Sequence, residues 1–399
     1  MSPTIPVGRK LLMIELRGIT WNHTRGYLPT VATAQRFSEL HPEVTIHWEK
    51  RSLQQFADLR LSDLVERFDL LVIDHPFIGM AAESGLLLPL DDYLAGEFLA
   101  DQAKHSVGKS HASYQFDHHQ WALAIDAATP ISGWRRDLLE AKGFSVPHTW
   151  KELLELARRG LVAIPGIPLD SLMHFYMVCT GLDEIPFSSG DTLISVDVGL
   201  HALEMLRELY TLISPECAHR NPIATWELLT TIHSAAICPF GYGYSNYSRE
   251  GYTSYPLETG GLIAIEGHTR CRSTLGGGGL AISSQCRQVG AAIDYSQFVA
   301  SAECQSGLYF QSGGQPGHRL AWLDNDANRA SRDFFRNTLA TLDEAWLRPR
   351  WNGYLDFQDR AAPILHQYLW GGGQGRDLLY RLNELAQQCM KTNTTRGQA

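Results

Sequence analysis

The first 85 residues of this 399-residue chain alternate between two hydrophobic periods, and that alternation restricts the folds open to it. Leu11 to Ile19 is a run that reads as a buried strand. Thr24 to Leu40 carries Leu28, Val31, Ala32, Ala34 and Phe37 at helical spacing and stops before Pro42. Val44, Ile46 and Trp48 alternate with polar residues, as in a strand. Leu53 to Phe68 reads as a helix, Leu70 to Ile73 as a short buried strand, and Ile78 to Ser84 as a helix closed by Gly85. Three strand–helix units in succession call for a parallel sheet covered on both faces. The loops after such strands open into a binding crevice.

Length argues for more than this one unit, because single cores stop growing at about 250–300 residues. The 34 basic and 43 acidic side chains give a net charge of −9, so no basic face for nucleic acid is expected. No apolar run approaches the ~18–20 residues of a membrane span, and the apolar stretch Leu11 to Ile14 is shorter than a signal-peptide core. There is no lysine between Lys151 and Lys391, which removes Schiff-base chemistry from that stretch. Seven cysteines, none in C-x-x-C spacing, read as free buried thiols.

Further along, Trp121 to Ile125 is strand-like and Trp134 to Lys142 helical. Thr149, with Glu152 three residues on, is the capping signature of a helix from Trp150 to Arg159. Val198 to Leu212 and Pro222 to Ser234 are further helices. Gly276 to Gly279 feeds a strand at Leu280 to Ser283, and helices follow at Gly290 to Ala300, Glu303 to Phe310 and through most of the tail.

Several segments, in this order, resemble the extracellular solute-binding proteins of ABC importers, in the branch that includes the sugar binders. They are Phe37-Ser38-Glu39-Leu40-His41-Pro42, Asp69-Leu70-Leu71-Val72-Ile73-Asp74, Trp134-Arg135-Arg136-Asp137-Leu138-Leu139 and Pro147-His148-Thr149-Trp150-Lys151-Glu152-Leu153. Gly277-Gly278-Gly279-Leu280-Ala281-Ile282-Ser283 and Arg348-Pro349-Arg350 continue the series. The resemblance implies an α/β fold of two lobes, each a mostly parallel sheet flanked by helices, with a hinge between them. Residues 1–122 plus 275–321 would form lobe I, and residues 123–274 plus 322–399 lobe II. It implies a non-catalytic, cofactor-free monomer, not embedded in a membrane, that binds a small solute with hinge closure and hands it to an ABC permease. A carbohydrate or polyol is favoured. The expected place of work is the periplasm or cell exterior. With no export signal visible, a cytoplasmic ligand sensor is the alternative.

Candidate ligand-binding residues follow from position. Trp21, His23 and Arg25 sit in the loop after the first strand, and Asp74, His75 and Phe77 in the loop after the third. Tyr242, Tyr244 and Asn246 belong to a Tyr- and Gly-rich segment in which rings offer apolar faces and hydroxyls offer hydrogen bonds. Asp126 and Gly277 lie near crossings that the resemblance implies. Arg272, with Arg270, is an anion clamp that would suit an anionic or aromatic ligand instead. Trp351 would either close the cleft from the C-terminal helices or pack in the core. An enzymatic reading would use His23 or His75 as a base, and it needs a partner nucleophile or metal that the sequence does not display. His105, His111, Asp117, His118 and His119 read as a solvated loop, not a metal seat.

Overall fold

The computed structural model describes residues 13–396 apart from residues 54, 56–59, 191 and 269. The described residues form ten strands: β1 (Ile14–Trp21), β2 (Val44–Arg51), β3 (Leu70–Ile73), β4 (Gln115–Phe116), β5 (His119–Gln120), β6 (Leu123–Ala128), β7 (Pro130–Trp134), β8 (Ile237–Tyr242), β9 (Glu258–Gly260) and β10 (Gly276–Ile282). The first sheet has the order β2-β1-β3-β10-β6. Its three N-terminal strands are parallel, and β10 is antiparallel to both of its neighbours. Alternate residues of one strand face opposite sides. Leu70 and Val72 therefore pack into one apolar cluster, and Leu71 and Ile73 into another. Part of the helix expected at Leu53 to Phe68 falls outside the described residues; within it Leu61–Val65 is helical.

The second lobe holds a three-stranded sheet, β8-β7-β9, against a larger apolar core. Thr149 and Glu152 form the expected capping box of the helix Trp150–Arg158. The helix Pro168–Gly181 was not expected: 12 of its residues are buried, so no polar stripe marks its period. The helices Tyr354–Gly371 and Gly375–Arg396 pack on the same core.

The second sheet is wholly antiparallel, where a mostly parallel one was expected. The reason is where the strands start. β7 leaves the first lobe directly and heads outward, whereas β8 returns to the junction at Tyr242. Strands that leave and return side by side must oppose one another. Leu123 to Asp126, expected as a crossing, lies inside β6 of the first sheet, and the chain passes between sheets at Thr129.

The passages between lobes are bound to each other. Thr129 Oγ1 donates to the Thr274 carbonyl at 3.0 Å, and the Gly243 amide donates to the Thr129 carbonyl at 3.0 Å. Gln315 joins them: its Nε2 donates to the Ala127 carbonyl at 2.8 Å, and its Oε1 accepts from the Ser245 amide at 2.9 Å.

The four glycines do not merely precede β10; they are its first half. A Cβ on Gly279 would lie 2.5 Å from the Tyr114 ring. Gly277 has φ +123°, and a Cβ there would lie 2.3 Å from the Asp126 carbonyl oxygen. All seven cysteines are buried and free of disulfides. Among the described residues no helix is long and apolar enough to cross a membrane. Gly277→Ala combines backbone strain with a clash against main chain, and we expect it to lower stability by about 3 kcal/mol. Denaturant unfolding checks this, and a loss within ~0.5 kcal/mol would contradict the close approach.

Candidate functional site

The ends of β1, β3, β6 and β8 and the start of β10 converge on one cavity of about 440 Å³, with walls from both lobes. Seven of the expected residues line it: Trp21, Arg25, Asp74, Asp126, Tyr242, Tyr244 and Gly277. The opposite wall comes from three places that sequence reasoning missed. These are the first turn of Pro168–Gly181 with Asp170, Asn221 at the cap of the helix Pro222–Thr231, and Arg348 with Gln358 and Asp359.

Two buried ion pairs set the electrostatics. Arg25 donates from Nε to Asp126 Oδ2 at 2.8 Å and from Nη2 to Asp126 Oδ1, a two-pronged pair. Its Nη1 donates to the Gly243 carbonyl at 2.8 Å, so one guanidinium joins the first lobe to the tyrosine segment. The same group lies 4.5 Å from the Tyr244 ring centroid. Burial alone would lower the Arg25 pKa; Asp126 outweighs it and holds Arg25 charged. Across the cavity, Arg348 Nη2 donates to Asp74 Oδ2 at 2.6 Å and Nη1 to Gln358 Oε1 at 3.2 Å. Burial pushes the Asp74 carboxyl up, but Arg348 and His75 outweigh it and bring it well below the usual range.

Asp170 differs from these acids. It is 4% exposed, it lines the cavity, and no hydrogen bond or ion pair joins its carboxylate to the described residues. Burial pushes its pKa up to about 8. His174, one turn further along, is committed elsewhere: Nδ1 lies 2.9 Å from the Tyr210 hydroxyl and Nε2 3.2 Å from the Phe240 carbonyl. Burial lowers the His174 pKa to about 4, so the ring stays neutral.

Six expected residues are not in the wall. His23 caps the helix Thr24–Leu40, with Nδ1 accepting from the Arg25 amide at 3.0 Å, and its ring packs against Tyr244. Burial, then Arg25, lowers its pKa to about 3. His75 is buried beneath the wall; its Nδ1 is 3.1 Å from Asp74 Oδ1 but is not aligned for a hydrogen bond. Burial brings its pKa down to about 4. Asn246 is buried at the junction, where Nδ2 donates to the Gly313 carbonyl at 3.0 Å. Phe77 and Trp351 line a separate cavity of about 450 Å³. Arg272 is exposed, its main chain bonded to Thr180, and Arg270 is exposed as well. The anion clamp thus has no place on this wall.

The histidine-rich stretch is more ordered than a solvated loop. His105 and His318 gather with Asp101, and His119 with Asp91 and Asp92. His318 Nδ1 accepts from the Leu320 amide at 3.4 Å, which leaves the ring proton on Nε2, the atom facing Asp101. Nε2 lies 3.6 Å from Asp101 Oδ2 and makes no hydrogen bond among the described residues.

Two substitutions read this electrostatic pattern. Arg25→Ala leaves Asp126 buried without its partner and is expected to cost about 3–5 kcal/mol in denaturant unfolding. Asp170→Asn acts in the opposite sense. Because the folded-state pKa is raised, the native acid binds its proton more tightly than the unfolded one, and stability is lost as pH rises from about 4 through about 8. The variant should therefore melt close to wild type at pH 4 and several degrees higher at pH 9. Equal melting differences at both pH values would contradict the buried, partnerless carboxylate.

Residues 20–176 match the family of bacterial extracellular solute-binding proteins. Solved structures extend the likeness along the chain. The solute-binding protein of an ABC transporter from Agrobacterium radiobacter K84, in complex with ribitol, superposes with a TM-score of 0.81 at 17% identity, covering 94% of this chain and 99% of that one. Maltose-bound MalE3 of T. maritima gives 0.81 at 16% identity, covering 95% and 100%. The solute-binding protein of Agrobacterium vitis S4 with bound D-mannitol gives 0.76 at 15% identity, covering 95% and 98%. The likeness read from the sequence therefore stands: this chain matches the extracellular solute-binding proteins over residues 20–176 and has their two-lobed α/β fold over nearly its whole length.

Proposed function

We propose that this protein is the solute-binding component of an ABC-type importer and that it holds one small polyhydroxylated molecule, a sugar or polyol, in the cavity between its lobes. The observation that carries the reading is the composition of that wall. Trp21, Tyr242 and Tyr244 bring aromatic rings to it, and amide and carboxyl side chains stand among them. Sugars and polyols present C–H faces and hydroxyls together, and such a wall answers both. The similar structures with ribitol, maltose and D-mannitol support the same class.

On this reading the first lobe runs to Ala128, resumes at Gly276 and continues to the third passage near Gln315; the remainder, with the C-terminal helices, forms the second. The likeness to extracellular solute-binding proteins supports work outside the cytoplasm and delivery to a permease. The role is binding, not catalysis. His23 and His75, the available bases, are held off the wall with depressed pKa values.

A ligand that touches both lobes favours the closed arrangement by its added contacts there. Calorimetric titration with a panel of sugars and polyols, including ribitol, mannitol and maltose, should find at least one binder. Small-angle scattering at saturation with that binder should give a smaller radius of gyration than the free protein. A panel with no binder, or a bound protein of unchanged radius, would overturn the reading.

A further inference from the structure

We infer that the solute taken into this cavity carries a cationic amino group beside its hydroxyls, an amino sugar or amino polyol, and that the carboxylate of Asp170 is its counter-ion. The inference rests on the sugar-or-polyol reading above and narrows it.

The argument is one of charge matching. The wall carries two guanidinium groups, Arg25 and Arg348, against four carboxylates, Asp74, Asp126, Asp170 and Asp359. Both cations are taken: Arg25 grips Asp126 through two nitrogens, and Arg348 grips Asp74. Asp359 also lines the second cavity and has interactions of its own. Asp170 remains, buried and without a partner among the described residues, facing the cavity. A buried carboxylate is costly unless paired. The positive end of its own helix compensates it only in part, since Asp170 lies in the first turn of Pro168–Gly181. With no partner the acid keeps its proton up to about pH 8, and a cation seated beside it would draw it into the charged form, so the protein offers the negative half of an ion pair to what enters.

The neighbours fit an ammonium. The Tyr242 ring lines the same cavity, and an aromatic face attracts a cation. His174 is neutral, and both of its nitrogens already face other polar atoms, so it does not compete for Asp170. An anionic solute would face an excess of acidic side chains, and both guanidinium groups already have a carboxylate against them. A neutral solute would leave the carboxylate with hydrogen bonds but no counter-charge.

Matched pairs test the inference. Titration calorimetry compares D-glucosamine with D-glucose, and 1-amino-1-deoxy-D-sorbitol with D-sorbitol; N-acetyl-D-glucosamine serves as an uncharged control of similar bulk. We expect the amine of at least one pair to bind 10-fold or more tightly than its hydroxyl counterpart. N-acetylation should remove that advantage, and in Asp170→Asn the amine-to-hydroxyl ratio should fall to near one. Equal binding of amine and hydroxyl partners, equal binding after acetylation, or an undiminished ratio in Asp170→Asn would each overturn the inference. Should the variant not fold, the wild-type pairs decide alone. Binding of neutral sugars or polyols without an amine preference overturns this inference and leaves the solute-binding reading intact. Failure of every compound, amines and neutral panel alike, overturns both.

Discussion

The arrangement of this protein turns on how closely β10 approaches its neighbours. The strand lies between β3 and β6, and its first half has no side chains. That absence lets the Tyr114 ring lie against Gly279 and the Asp126 carbonyl against Gly277. With β6 drawn in so tightly, the Asp126 carboxylate comes within reach of Arg25 on the first helix. Arg25 in turn reaches across to the Gly243 carbonyl, and the tyrosine segment takes its place on the wall. A bulkier strand would spread the sheet at the point where the two lobes meet.

The charged groups of the wall belong to this scaffold as much as to any ligand. Buried ion pairs are weak contributors to stability, because desolvation offsets much of their attraction. What they supply here is direction. The Arg25–Asp126 pair fixes the face of Tyr244, and the Arg348–Asp74 pair ties the loop after β3 to the C-terminal helices through Gln358. Each guanidinium is spent on an internal partner, so the wall is polar without offering a free cation. The arginines that sequence marked as an anion clamp, Arg270 and Arg272, lie on the surface instead.

The first lobe was legible because its strands and helices alternate in period. Trp21, Arg25 and Asp74 were found by a simple rule, that loops after parallel strands open toward ligands. The same rule overreached at His23, His75 and Phe77, since a loop position does not say which side chains turn inward. Tyr242 and Tyr244 were legible from composition, whereas Asn246, in the same run, is consumed by the Gly313 carbonyl. The opposite wall was silent. The helix that carries Asp170 is buried on nearly every side, so neither the helix nor the acid stood out from the apolar run around them. Arg348 was quoted only as part of a family segment; its pairing with Asp74 spans 274 positions and leaves no local trace. The antiparallel second sheet was misread because strand direction there depends on where the chain crosses, which no local pattern encodes.

Gln315 has a mechanical meaning. One amide side chain holds the outgoing strand at Ala127 and the tyrosine segment at Ser245 from a third stretch of chain. Linkers joined through one side chain share any strain placed on them. A displacement of any one passage is handed through that side chain to the others, and on the proposed reading a guest on the wall would bear on all of them together.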